Sequence, residues 1–340
     1  MKHRPELDGL RAVAIGLVTL EHVLPHQFPG GFIGVDIFFV LSGYLITSLL
    51  LEESAQDNRI SLRRFYYRRL LRLAPALVLM LGLFTALFIA YAVLRHKIDF
   101  AESQLWGGAA AISYLQDWNL ALDIRPRGFF EHTWSLAVEE QFYLIWPVVL
   151  IIASRWGRTA LIVQCIVLLI ICNVWRAHLW ADGSAPIRIY AGFDTRFDNL
   201  LIGCLLALVP IPSPFRKAMA KYVWLPLVAM LVITLSLEWN SSAYQLGMII
   251  PCLFAAWILV AVLTDPDSQL SKTMQFRPVN YVGRISYGYY LWHFPVFLTL
   301  AWVIHDRPVA LAALTIAISL GVASISYHWL ELPIRKLGRN

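Results

Sequence analysis

Charge is scarce in this sequence. Asp, Glu, Lys and Arg make up 15% of its 340 residues and apolar types 59%, against about 25% and about 45–50% in an average soluble domain. With a mean hydropathy of +0.62, that balance excludes an ordinary water-soluble globule. Cysteine is sparse too. Cys165, Cys172, Cys204 and Cys252 stand singly within apolar runs, with no C-x-x-C and no metal-ligand spacing. A disulfide framework and a zinc site are therefore excluded, and no metal is expected. No serine sits in a G-x-S-x-G context, so a nucleophile elbow is absent. No internal repeat of the kind seen in many carriers is visible.

Long apolar runs are what the sequence has in abundance. They fall near residues 7–24, 33–51, 74–94, 134–153, 159–178, 196–210, 222–238, 244–263, 286–304 and 309–329. Most are near the roughly 20 residues that carry a helix across a hydrocarbon core of about 30 Å. The sequence predicts an all-α, polytopic membrane helix bundle of about ten transmembrane helices. Residues 1–340 are expected to form one membrane domain with no appended soluble domain. Lys2 and Arg4 precede the first run as in a signal peptide, but there is no small-x-small cleavage site and Arg11 interrupts it. It reads as a retained span.

An eleventh run, 104–120, contains Gly107, Gly108, Gln116 and Asp117. The positive-inside rule decides against its crossing. With ten spans, 20 of the 28 Lys and Arg residues fall on the side of both termini, from Lys2 and Arg4 to Arg339. An extra crossing would divide them almost evenly. Both termini are thus expected in the cytoplasm, with 95–133 a long outer segment. The formal charge of +6 is used up in topology and does not point to nucleic acid.

Ionisable residues within spans are costly, roughly 2.5–3.5 kcal/mol at the bilayer centre on insertion scales, and so mark functional candidates. "LDGLRAVAIGLVTLEHVL" (7–24) keeps Asp8 and Arg11 at its inner end and Glu21 and His22 at its outer one. Arg11 and His22 are eleven residues apart, close to three turns, and share a stripe about 16 Å long. The loop after the second span, 59–76, carries Arg68, Arg69 and Arg72 among six arginines and no lysine. Arg69 and Arg72 share a face on a helix, and guanidinium forks suit phosphate oxygens. A merely topogenic basic loop touching anionic membrane lipid is the alternative. "HTWSLAVEEQFYLIWP" (132–147) brings Trp134, Ser135, Glu139, Glu140 and Tyr143 to the outer start of a span. Adjacent carboxylates point about 100° apart, so at most one of Glu139 and Glu140 is expected to face the same cavity as His22. Asp36, Arg196, Tyr287 and His293 open or line other spans and serve, taken singly, as helix-pair contacts.

Together these residues resemble a known family. RPELDGLRA (Arg4 to Ala12), His22, GVDIFFVLSG (Gly34 to Gly43), Arg69 and Arg72, WSLAVEEQFY (Trp134 to Tyr143) and SYGYYLWHFP (Ser286 to Pro295) are similar to the motifs of the acyltransferase-3 family. Its members are bacterial membrane O-acyltransferases that modify O-antigens, exopolysaccharides and similar glycans. The resemblance implies about ten helices in the bacterial cytoplasmic (inner) membrane and an acyl-CoA co-substrate, usually acetyl-CoA, with no tightly bound cofactor. It implies a catalytic role for His22 and donor-related roles for Arg11, Arg69 and Arg72. It extends to Glu139, Glu140, Asp36 and Tyr287 by motif.

The expected scheme follows. Acyl-CoA places its phosphates on Arg68, Arg69 and Arg72, and its pantetheine arm passes Arg11 toward His22. Histidine, with a reference pKa of about 6.5, can accept the proton of a glycan or lipid-linked sugar hydroxyl, while Glu139 or Glu140 orients the ring. A covalent acyl-histidine relay is equally drawable. The competing class is a carrier or flippase, which would have no reason to release CoA.

Overall fold

The computed structural model describes residues 3–57, 59–125, 128–304 and 307–337. Lys2 and Arg339, counted above on the inner side, lie outside them. All regular structure among the described residues is helical, with no strand. Each of the ten apolar runs falls on helix, from Pro5–Val23 to Pro308–Ser326. By length and composition, five helices are fit to cross a membrane: Ile33–Asp57, Leu62–Arg95, Glu131–Ser154, Gly157–Ala181 and Pro308–Leu337. Two bent pairs, Ser213–Lys221 with Trp224–Ser236 (51°) and Ile249–Thr264 with Gln269–Gln275 (92°), raise the number to seven.

The other three expected spans fall short of that standard for visible reasons. Pro5–Val23 carries Glu6, Asp8, Arg11 and Glu21. Phe193–Leu208 has only 16 residues, roughly 24 Å of rise. Arg277–Ala301 is diluted by two arginines, four tyrosines and His293. The stretch 104–120 is not one helix. Ile98–Ile112 (15 residues) and Gln116–Ala121 are separated by a turn in which Tyr114 has φ 53°. Fifteen residues rise about 22 Å, short of the hydrocarbon core.

The arginine-rich stretch, expected as a loop, is helical from Leu62 onward. Ser61 caps the helix Leu62–Arg95 by accepting from the Arg64 amide at 3.3 Å. Five of the six arginines, all but Arg59, therefore ride on its first turns. Its far end stops at His96, in the left-handed region at φ 53°.

The chain divides into two compact units. Met1–Glu21, Pro25–Ile60 and Val138–Arg284 form the first; His22–Leu24, Ser61–Ala137 and Ile285–Asn340 form the second.

In the first unit the most extensive packing joins Ile33–Asp57 to Phe193–Leu208. Glycine makes it possible. A Cβ at Gly43 would lie 1.9 Å from the Leu200 carbonyl oxygen, and one at Gly203 would lie 2.1 Å from that of Val40. The two backbones touch without intervening side chains, a device typical of membrane helix pairs. Gly43→Val is expected to destabilise the protein by about 3 kcal/mol or more, the upper end for overpacking. Thermal unfolding in detergent measures it, and an unchanged midpoint would refute this contact.

In the second unit Leu62–Arg95 packs on Ile98–Ile112 and on Tyr327–Glu331. Tyr327–Glu331 is a π-helical turn that follows Pro308–Ser326 and leads into Leu332–Leu337. Glu331 is buried, accepts from Ser326 Oγ at 3.2 Å, and occupies space left by Gly288, whose Cβ would be 2.8 Å from its Oε1. Val78, Leu79, Leu83, Leu87 and Leu94 on Leu62–Arg95 are exposed. Apolar faces of this extent are a liability in water and fit lipid tails.

Candidate active site

His22 ends the helix Pro5–Val23 half-buried and belongs to the second unit, as do His132 and His293. The positions of the latter two follow from one proline. Pro295 sits inside Arg277–Ala301 and has no N–H for the carbonyl four residues earlier, that of Leu291. His132, in the 3-10 turn Glu131–Thr133, fills that gap: its Nε2 lies 3.2 Å from the Leu291 oxygen. One residue earlier, the Tyr290 carbonyl lies 2.6 Å from His293 Nδ1. The other ring nitrogen of His293, Nε2, is 3.2 Å from His22 Nδ1.

Rings close the site. His22 and His293 have centroids 5.2 Å apart, and His132 and His293 5.7 Å. Phe294 meets His22 edge-on at 4.9 Å and His132 at 5.1 Å. Tyr290 O–H donates to the His132 carbonyl at 2.5 Å, and Ser135 Oγ–H to Tyr290 Oη at 2.6 Å. His293 is fully buried and His132 almost so, whereas His22 is the member with partial access. A partly accessible imidazole backed by buried ones can take a proton from an incoming hydroxyl.

Trp134, beside Ser135, is buried. Tyr287 donates to the Leu73 carbonyl at 2.7 Å, which fixes it one residue beyond Arg72. Arg68 and Arg72 are exposed and Arg69 half-buried, a surface able to meet phosphates.

The remaining expected residues belong to the first unit. Arg11 pairs with Asp8 at 3.0 Å, and His3 reaches the other oxygen of Asp8 at 2.6 Å. Glu139 and Glu140 are half-buried, and Glu139 accepts from Ser42 Oγ at 2.8 Å. Tyr143 is buried. Asp36 and Arg196, expected singly, form one fully buried ion pair at 2.6 Å. Tyr244 O–H donates to Asp36 Oδ2 at 2.9 Å, and Asn199 Nδ2 to Oδ1 at 3.0 Å. A second buried pair, Arg176 with Asp198, lies in the same unit.

His132 was not singled out from sequence, although a proline in mid-helix signals a carbonyl in need of a donor. His178 and Asp182 were also passed over. Their H-x-x-x-D spacing would suit a base and its orienting carboxylate, but they form a pair at 3.4 Å with both side chains more than half exposed. Exposed pairs of this type contribute little. Among the described residues, no group of three His, Cys, Asp or Glu side chains could hold a metal ion. All four cysteines are free and buried.

This helical unit, with its histidine cluster and arginine-bearing helix, has the character of a membrane-embedded acyltransferase. The family model described as an acyltransferase domain, acyltransferase-3, matches residues 4–328, and the chain belongs to that family. Among curated proteins it is 34% identical to the peptidoglycan O-acetyltransferase OatA of Listeria monocytogenes, over 99% of this chain and 56% of that protein. It is also 34% identical to the O-acetyltransferase OatA of Staphylococcus aureus, over 99% of this chain and 58% of that one. The chain thus spans a little over half the length of these relatives. No solved structure matches it.

Proposed function

We propose that this chain transfers an acyl group, acetyl by preference, from cytoplasmic acyl-CoA to a hydroxyl of an envelope glycan of the peptidoglycan type, with His22 as general base. The family match across residues 4–328 carries the reading. The names of the relatives support acetyl as the group and a glycan as the acceptor. The setting is a bacterial inner membrane crossed about ten times, with both chain ends inside. The charge distribution supports that topology, since it puts the arginine-bearing start of Leu62–Arg95 on the CoA side. CoA phosphates bind Arg68, Arg69 and Arg72, and the hydroxyl proton passes to His22 as the oxygen attacks the thioester carbonyl. The C–S bond then breaks, and CoA leaves as the thiol with the proton returned by His22.

The direct test follows labelled acetyl-CoA in membranes with and without the protein. Label in the glycan fraction, together with stoichiometric free CoA, is the expected result. Intact acetyl-CoA in both samples would sink the reading and favour a carrier. Arg69→Ala/Arg72→Ala should raise KM for acetyl-CoA by roughly 10–100-fold at nearly constant kcat, the size expected for charge-assisted bonds to phosphate. An unchanged KM in initial-rate measurements would remove these residues from the donor site.

A further inference from the structure

We infer that His293 is a positioning residue that holds the proton of His22 on Nδ1 and so leaves the lone pair of His22 on Nε2. The argument is one of hydrogen-bond polarity. A backbone carbonyl only accepts, so the His293 nitrogen 2.6 Å from the Tyr290 oxygen, Nδ1, must carry hydrogen. His293 is fully buried, and the rings around it are those of His22, His132, Tyr289, Tyr290 and Phe294. With no carboxylate among these neighbours, a charged ring would be buried unpaired, which is costly. The ring is neutral, and its Nε2 bears a lone pair. Across 3.2 Å from it stands His22 Nδ1, which must then be the donor. A neutral His22 with hydrogen on Nδ1 has its basic electron pair on Nε2.

The anchor is built into one helix. Tyr290 and His293 are three residues apart, just ahead of Pro295, and Tyr289 stacks on the His293 ring at 6.0 Å and 10°. His293 therefore cannot rotate to offer its other nitrogen without losing the Tyr290 carbonyl. It does for His22 what a buried carboxylate does for the histidine of a hydrolase triad, without bringing a charge. Assigning Nε2 as the nitrogen that receives the hydroxyl proton rests on the proposed acyl transfer. The tautomer itself does not.

Two readouts on the full chain in lipid nanodiscs test this. With histidine labelled by 15N, the His22 signals are assigned by their loss in His22→Ala. Wild type and His293→Gln, whose amide oxygen is again an acceptor, should show hydrogen on Nδ1. His293→Leu should show a mixture with hydrogen on Nε2. Hydrogen on His22 Nε2 in wild type, or no change in His293→Leu, would overturn the inference whatever the activity.

The second readout is kinetic, using acetyl-CoA with solubilised peptidoglycan fragments as the probe acceptor. His293→Leu should lower kcat by about 10²–10³-fold, within the range of general-base effects, with KM for acetyl-CoA within about threefold. His293→Gln should stay within about tenfold of wild type. Equal losses in both variants would assign His293 a packing role only. Equal rates for wild type and His22→Ala would instead defeat the proposed base, while the tautomer measurement still decides the role of His293.

Discussion

Membranes holding His22→Ala at matched expression should transfer acetyl at a rate lower by about 10²–10⁴-fold, the usual contribution of a positioned base. The loss should lie in kcat. His22 stands at the end of its helix with partial access, and the arginines proposed to hold the donor phosphates are on a different helix, so donor affinity should change little. Labelled acetyl-CoA with a rapid quench gives both constants. A variant retaining a tenth or more of wild-type kcat would exclude His22 as the base. A variant with normal kcat and raised KM would make it a binding residue.

The second large effect concerns stability. Asp36→Ala would leave Arg196, fully buried, without its carboxylate. Breaking a buried pair by removing one partner costs about 3–5 kcal/mol, because the remaining charge is uncompensated. Tyr244 Oη and Met248 Sδ, at 3.0 and 3.1 Å from Arg196 Nη1, remain as partners but are not anionic. The double variant Asp36→Leu/Arg196→Met should recover most of the loss, since an apolar pair of similar volume is often as stable as a buried ion pair. Thermal unfolding of the purified protein in detergent checks both. If the double variant loses as much stability as Asp36→Ala or more, Asp36 and Arg196 have tasks beyond neutralising each other.

Much of the architecture was legible because a bilayer imposes one simple rule: roughly 20 apolar residues per crossing. Each apolar run is on helix for that reason. The rule also shows where legibility stops. Phe193–Leu208 and Pro5–Val23 owe their place to buried polar pairing and glycine contacts rather than to apolar length. Asp36 and Arg196 are 160 residues apart, and nothing in either local sequence names the other. The histidine cluster was half legible. His22 declared itself as an ionisable group in a span, and His293 by its motif. His132 depended on the carbonyl that Pro295 leaves open, a relation between two distant segments that only the folded backbone reveals.

The π-helical turn Tyr327–Glu331 has a meaning for comparing chains. Such a turn is an α-helix that has absorbed one extra residue, and each residue of an α-helix turns the following ones by about 100°. Straightening it would swing Glu331 away from Ser326 and out of the hollow at Gly288, unless one residue were deleted as well. A family member with an unbroken α-helix here should therefore be one residue shorter across 327–331. A single gap in that stretch would record a difference in helix geometry that leaves the acid against the glycine, whereas an unbroken helix of full length would carry the acid away from it.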